Sequence, residues 1–157
     1  MSSEFPEAEL VRKTFMIRSM DLPPNIAMTR RSLLRWFALA FGLLSAKESR
    51  NTVIDVLDSL FYFQLAQKKE PTTNELQMYL KEKKKPISDK LLRYHLKRMI
   101  DVGMLQRKKM KYSFSHSPYA EKVDLIEGFR HNIKEPVNKS LDDIEAVLTK
   151  IKSNYSQ

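Results

Sequence analysis

A chain of 157 residues with 42% hydrophobic and 30% charged content can bury one principal core with appended helices, and only 3 glycines favour a helix-rich architecture. The net charge is +9, and the absence of cysteine removes disulfides, zinc-ribbon sites and thiol sensing and fits a reducing cytosol. Met1-Ser2-Ser3-Glu4 lacks the basic-then-apolar layout of a signal peptide, and the longest apolar stretch, Leu33 to Leu44, has 12 residues and contains Arg35, so no membrane span is expected.

Pro6 to Met20 predicts a short helix with Leu10, Val11, Phe15 and Met16 inward, and Leu22-Pro23-Pro24-Asn25 predicts a break. Thr29 is a natural cap for a helix over Arg30 to Leu44, in which apolar residues run round nearly the whole surface after Arg35. Such a helix must be buried on several sides. Either it is central to the monomer, or Trp36, Phe37 and Phe41 form a subunit interface. Ser45 to Arg50 is a polar linker. Asn51 to Gln67 follows as a helix carrying Ile54, Val56, Leu57, Leu60, Phe61 and Leu65, with Asp55 and Asp58 as ordinary surface acids.

The densest local signals lie between Thr72 and Ser115. Thr72-Thr73-Asn74-Glu75 has the form of a capping box, and Leu76, Tyr79 and Leu80 give the buried face of the helix that it opens. Pro86 stops that helix. Ser88 can cap the next, whose inner stripe is Leu92, Leu96 and Met99, and Gly103 supplies the positive φ that commonly follows a helix end. Beyond Gly103 the period changes to alternation. Met104 to Arg107 and Lys111 to Phe114 predict two strands joined by a turn at Lys108-Lys109-Met110.

Further on, Ser117-Pro118 predicts a helix start, with Tyr119, Val123, Ile126 and Ile133 on a near-heptad seam interrupted by Pro136. Ser140 to Asp143 then caps a second segment in which Ile144, Val147 or Leu148, and Ile151 continue the seam. Two short helices of this kind are marginal unless they bury their stripe, on their own monomer or in a dimer.

Ile87-Ser88-Asp89-Lys90-Leu91-Leu92-Arg93-Tyr94-His95-Leu96-Lys97-Arg98-Met99-Ile100-Asp101-Val102-Gly103-Met104-Leu105 resembles the recognition helix and first wing strand of winged-helix regulators of the ArsR and MarR type. The resemblance covers residues 52 to 115. It implies a recognition helix in a major groove and a wing on the backbone or in the minor groove.

Charge is distributed accordingly. Lys and Arg against Asp and Glu give 7 − 5 = +2 for residues 1 to 48, 15 − 7 = +8 for 49 to 115, and 6 − 7 = −1 for 116 to 157. Residues 81 to 111 hold 12 basic side chains opposed only by Glu82, Asp89 and Asp101, a density suited to a phosphate backbone, although Lys-rich runs also serve as solvated surface. Ser88, Asp89, Lys90, Arg93 and Tyr94 are expected where base edges are reached, and Arg93 has the strongest base-reading chemistry. Lys97, Arg98, Arg107, Lys108, Lys109 and Lys111 are expected on phosphate.

No catalytic constellation is evident. Of the three histidines, His95 is read as a packed or capping residue, and His116 and His131 have no cysteine to join them, so neither metal nor cofactor is expected. There is no phosphate-binding glycine loop and no nucleophile elbow, which argues against an enzyme.

The expected fold is mainly α: a winged helix-turn-helix at 49–115, with a three-helix core and two-stranded wing, an N-terminal helical extension at 1–48 and a C-terminal helical segment at 116–157. The expected function is binding of double-stranded DNA by a cytoplasmic, nucleoid-associated homodimer, as a transcriptional regulator or chromosome-associated factor. A protein-interaction module in a larger complex is the rival reading, and RNA binding a third.

Overall fold

In the computed structural model, which describes residues 5–25, 29–45, 52–122 and 124–156, the chain is mainly helical with one two-stranded antiparallel sheet. Helix α1 spans Arg30–Ala40, and the Thr29 hydroxyl caps it by accepting from the Ser32 N–H at 3.0 Å. It ends at Ala40, short of the expected Leu44, because Gly42 adopts φ +69° and the Gly42 and Leu43 amides turn back to Leu39 and Ala38. Leu34, Ala38, Phe41, Leu43 and Leu44 are buried, and the half-buried Trp36 donates its indole N–H to the Asp21 carbonyl at 2.8 Å. The monomer itself therefore covers this apolar segment.

The expected helix over Pro6 to Met20 is confined to a 3-10 turn at Pro6–Leu10. Leu10, Val11 and Met16 are exposed, and of the four residues expected inward only Phe15 packs against the core. The reason lies at the end of α1. The Arg18 amide donates to the Ala40 carbonyl at 2.8 Å, and its guanidinium to those of Leu39 at 3.2 Å and Leu44 at 2.6 Å. An extended segment can serve these orphan carbonyls, whereas a helix would have consumed its own amides.

Helix α2, Thr52–Phe61, continues as a π-helical turn over Tyr62–Ala66. Val53, Ile54, Val56, Leu57, Ser59 and Leu60 are all buried, so α2 is enclosed on most sides by α1, by helices α3 (Thr73–Glu82) and α4 (Asp89–Asp101), and by strand β2 (Lys111–Phe114). Asp55 and Asp58 are not idle surface acids. Asp55 meets Arg31 at 3.1 Å and Lys85 at 3.4 Å, and Asp58 accepts from the Tyr79 hydroxyl at 3.2 Å. The expected linker at 45–50 and the first residue of the expected Asn51 helix fall outside the described residues, apart from Ser45.

The expected capping box is complete: Thr72 Oγ1 accepts from the Glu75 amide, and Glu75 accepts from the Thr72 amide. Contact with Lys69 and these bonds hold the Glu75 carboxyl below its usual pKa. Helix α3 ends at Glu82, before Pro86, through Lys84 at φ +61° and a bond from the Lys85 amide to the Leu80 carbonyl. Ser88 caps α4 by accepting from the Leu91 amide at 3.1 Å. At its other end Gly103, φ +85°, permits bonds from Gly103 to Ile100 and from Met104 to Met99.

Strand β1, Leu105–Lys108, pairs with β2 in the register Leu105 with Phe114 and Lys108 with Lys111. The turn is Lys109-Met110, both with positive φ, the backbone of the two-residue turn that matches strand twist. Neither is a glycine or asparagine, so the turn carries local strain.

The C-terminal segment departs most from expectation. No helix begins at Ser117-Pro118: Ser117 is buried, and its hydroxyl accepts from the Tyr119 amide in a turn. Helix α5, Leu125–Phe129, starts instead at Asp124, whose carboxylate accepts from the Glu127 amide. Val123 of the expected seam lies outside the described residues. A π-helical turn at Arg130–Lys134 leads directly into α6, Glu135–Tyr155. Pro136 does not break this run, because it falls in the first turn after the widened π segment, where its missing N–H and ring are tolerated. Ser140 accordingly is no cap; its hydroxyl donates back to the Pro136 carbonyl. Gly128 allows α5 to press on the chain beyond β2, since a Cβ there would collide with the Ser115 carbonyl.

Tyr79 gives a test of this packing. Desolvation by burial, with Asp58 beside it, pushes its hydroxyl from 10.0 to about 12. The folded state therefore holds a proton that the unfolded chain releases first, and stability from this group is full below pH 10 and lost as pH rises towards 12. Unfolding titrations should show the wild type losing stability relative to Tyr79→Phe across that window; parallel curves would contradict the half-buried pairing.

Candidate nucleic-acid interface

Helix α4 has two faces because its apolar residues recur at helical spacing. Leu92, His95, Leu96 and Met99 are buried, which leaves Lys90, Arg93, Tyr94 and Lys97 as one exposed stripe at i, i+3, i+4 and i+7. Ser88 and Asp89 are exposed at its N-terminal end. Arg107, Lys108, Lys109 and Lys111 are exposed on the hairpin, with the Arg107 guanidinium 5.9 Å from the Tyr112 ring centre on the facing strand. Lys81, Lys83, Lys84 and Lys85 extend the basic surface at the end of α3, although Lys85 pairs with Asp55.

Among the described residues, Lys90, Lys97, Arg107, Lys108, Lys109 and Lys111 have no carboxylate within ion-pair distance. Their charge is uncompensated locally. Arg93 is different: its Nε donates to Asp89 Oδ2 at 2.8 Å across one turn. That bond raises the guanidinium pKa. The bond engages Nε and leaves the two terminal nitrogens for a bidentate acceptor.

Arg98, expected on phosphate, is committed elsewhere. It is half-buried, and its two terminal nitrogens donate to the Leu43 carbonyl at 3.0 Å and the Gly42 carbonyl at 2.8 Å. These acceptors lie where α1 ends, a natural place for a cation, and the guanidinium also lies 5.6 Å from the Tyr94 ring centre. His95 is a packed residue as expected, with Nε2 3.0 Å from the Thr52 hydroxyl. His116 Nδ1 lies 3.0 Å from Gln106 Nε2, and His131 stands against the Tyr119 ring. Among the described residues no three His, Asp or Glu side chains gather as a metal site, and no helix is long and apolar enough to cross a membrane.

Gln64 and Pro71 help to hold the site together and escape sequence reasoning, as does the partner of Phe61, itself expected only as an apolar residue of its helix. The buried Gln64 accepts from the Phe114 amide at 2.8 Å and donates to the Lys122 carbonyl at 3.0 Å. The Pro71 carbonyl accepts from the Tyr112 amide at 2.9 Å. Phe61 stacks on Phe114 with ring centres 4.4 Å apart. A glutamine within an apolar helix, at Gln64, is the one available sequence signal, and it names no partner.

Compared with family models, curated proteins and solved structures, the chain matches none.

The geometry around Arg98 distinguishes a clamp from a phosphate contact. Arg98→Ala removes two hydrogen bonds from a charged donor, each worth about 1.5–3 kcal/mol, and leaves partly buried carbonyls without that donor. Thermal unfolding should shift to clearly lower temperature, whereas the salt dependence of any polyanion binding should stay as in the wild type. A shallower salt slope with unchanged stability would return Arg98 to the interface.

Proposed function

We propose that this chain is a winged helix-turn-helix protein that binds double-stranded DNA, with α4 as the recognition helix, the β1–β2 hairpin as the wing, and regulation of transcription or chromosome association as its role. The observation that carries the reading is the set of six exposed, locally uncompensated cations shared between one helix face and the adjoining hairpin. Phosphate oxygens are the acceptors such a set suits, because each contact releases condensed counterions. The resemblance of residues 87–105 to ArsR- and MarR-type regulators agrees with it.

Within that reading Arg93 reads a base and the lysines position the helix. Asp89 holds the guanidinium by Nε, so the terminal nitrogens can meet guanine O6 and N7 without first losing that bond. Tyr94, exposed beside Arg93, offers a ring to a sugar or a thymine methyl group. Lys97, Lys108, Lys109 and Lys111 have the reach and rotational freedom for backbone contacts.

Anisotropy titrations with random duplex DNA test the proposal. If all six cations engage, the logarithm of affinity should fall against the logarithm of salt with a slope of about −5. Absence of binding at low salt, or binding indifferent to salt, would remove the DNA reading in favour of a protein-interaction module. At a selected site, Arg93→Ala should cost about 1–3 kcal/mol and relax one base position, while Lys109→Ala should weaken all sequences alike and reduce the slope by about one unit. Equal losses on selected and random DNA for both variants would show that α4 is not the reading helix.

A further inference from the structure

We propose that α6 pairs with α6 of a second copy of this chain as an antiparallel two-stranded coiled coil centred on Ala146. Helix α6 has 21 residues and none is buried. Leu141, Ile144, Leu148 and Ile151 are between 46% and 63% exposed, and with Val137 and Tyr155 they recur at alternating spacings of four and three, the heptad seam of a coiled coil. The opposite face is polar and internally paired, as Lys139 meets Asp143 at 2.8 Å across one turn. Val137, in its first turn, packs half-buried against the core of its own monomer, and beyond it the apolar stripe lacks the tertiary packing from which most helices draw their stability.

The stripe is self-complementary in one direction. In an antiparallel pair about Ala146, Leu141 faces Ile151 and Ile144 faces Leu148 of the other copy, so each of these four exposed positions finds an apolar partner, while Tyr155 reaches the level of Val137 at the edge of the seam. Charge selects the same direction. The first half of α6 carries Glu135, Asp142, Asp143 and Glu145 against Lys139 alone, and the second half carries Lys150 and Lys152 with no acid. Antiparallel packing lays the acidic half of one helix beside the basic half of the other, with Glu145 and Lys152 on the same flank of the seam, and sets the helix dipoles head to tail. Parallel packing would instead set Glu145 against Ser140 and Lys152 against Val147. The other apolar candidate, α1, is covered within the monomer and offers no comparable surface.

This inference stands apart from DNA binding and is tested without DNA. The intact chain should sediment as a dimer at tens of micromolar. Leu148→Lys, and separately Ile144→Lys, should sediment as monomers with unchanged fluorescence from the single tryptophan, Trp36, because both side chains are exposed in the monomer. The chain has no native cysteine, so orientation can be read by disulfide formation. A mixture of Leu141→Cys and Ile151→Cys chains should give a mixed disulfide, and neither variant alone a dimeric one. A monomeric wild type, a lysine variant that remains dimeric, or a disulfide between two Ile151→Cys chains would each overturn the proposal; the first would leave the stripe to a different occupant.

Discussion

The candidate interface depends on a ribbon that cannot hold itself. Two four-residue strands joined by a strained Lys109-Met110 turn are marginal in water, yet Arg107, Lys108, Lys109 and Lys111 are useful only if the ribbon keeps its place beside α4. What fixes it is satisfaction of the outer edge of β2. The Tyr112 amide finds the Pro71 carbonyl and the Phe114 amide finds Gln64, while Phe61 stacks on Phe114 from α2. A buried amide left without a partner costs about 1–3 kcal/mol, so the hairpin has one position in which that edge of β2 is satisfied. Its solvent side is then free to carry Arg107, Lys108, Lys109 and Lys111.

Local chemistry made the centre of this chain legible. The capping box at Thr72 and Glu75, the Ser88 cap and the Gly103 closure each involve residues a few positions apart and form where the sequence places them. The strand expected over Met104 to Arg107 forms one residue later, at Leu105–Lys108, because Lys108 joins the ladder opposite Lys111. The exposed stripe of α4 follows from the same periodicity. Failures cluster where a partner is distant in sequence or where local geometry is adjustable. Arg98 and the Gly42 carbonyl are separated by 56 positions, and Gln64 and Phe114 by 50, so nothing nearby announces either bond. Residues 11 to 20 look helical until the carbonyls at the end of α1 are known to need donors. Pro136 reads as a break because a π-helical turn before it cannot be anticipated from spacing.

Two arginines far apart in the chain converge on the end of α1. Arg18 serves Leu39 and Leu44, and Arg98 serves Gly42 and Leu43, at the terminus where the helix dipole is negative and α1 itself has no basic residue in its last turn. The second of these arms comes from α4. One helix thus uses a basic residue on its flank to join the protein backbone and Lys90, Arg93 and Lys97 on its outer face to present charge outward. Composition alone treats these cations alike, and burial separates them.

The same division governs the distribution of charge along the chain. Uncompensated cations can be tolerated on α4 and the hairpin because those side chains are solvated and the helix beneath them is held by apolar packing and neutral or singly charged contacts. Helix α6 has the reverse character, an apolar stripe left bare on a surface whose first half is net acidic and whose second half is basic. Excess charge of one sign repels a second copy, whereas segregated opposite charge attracts one in a fixed direction. If α4 meets a polyanion and α6 meets its own image, the two surfaces do not compete: the first is selected by net charge, the second by its pattern.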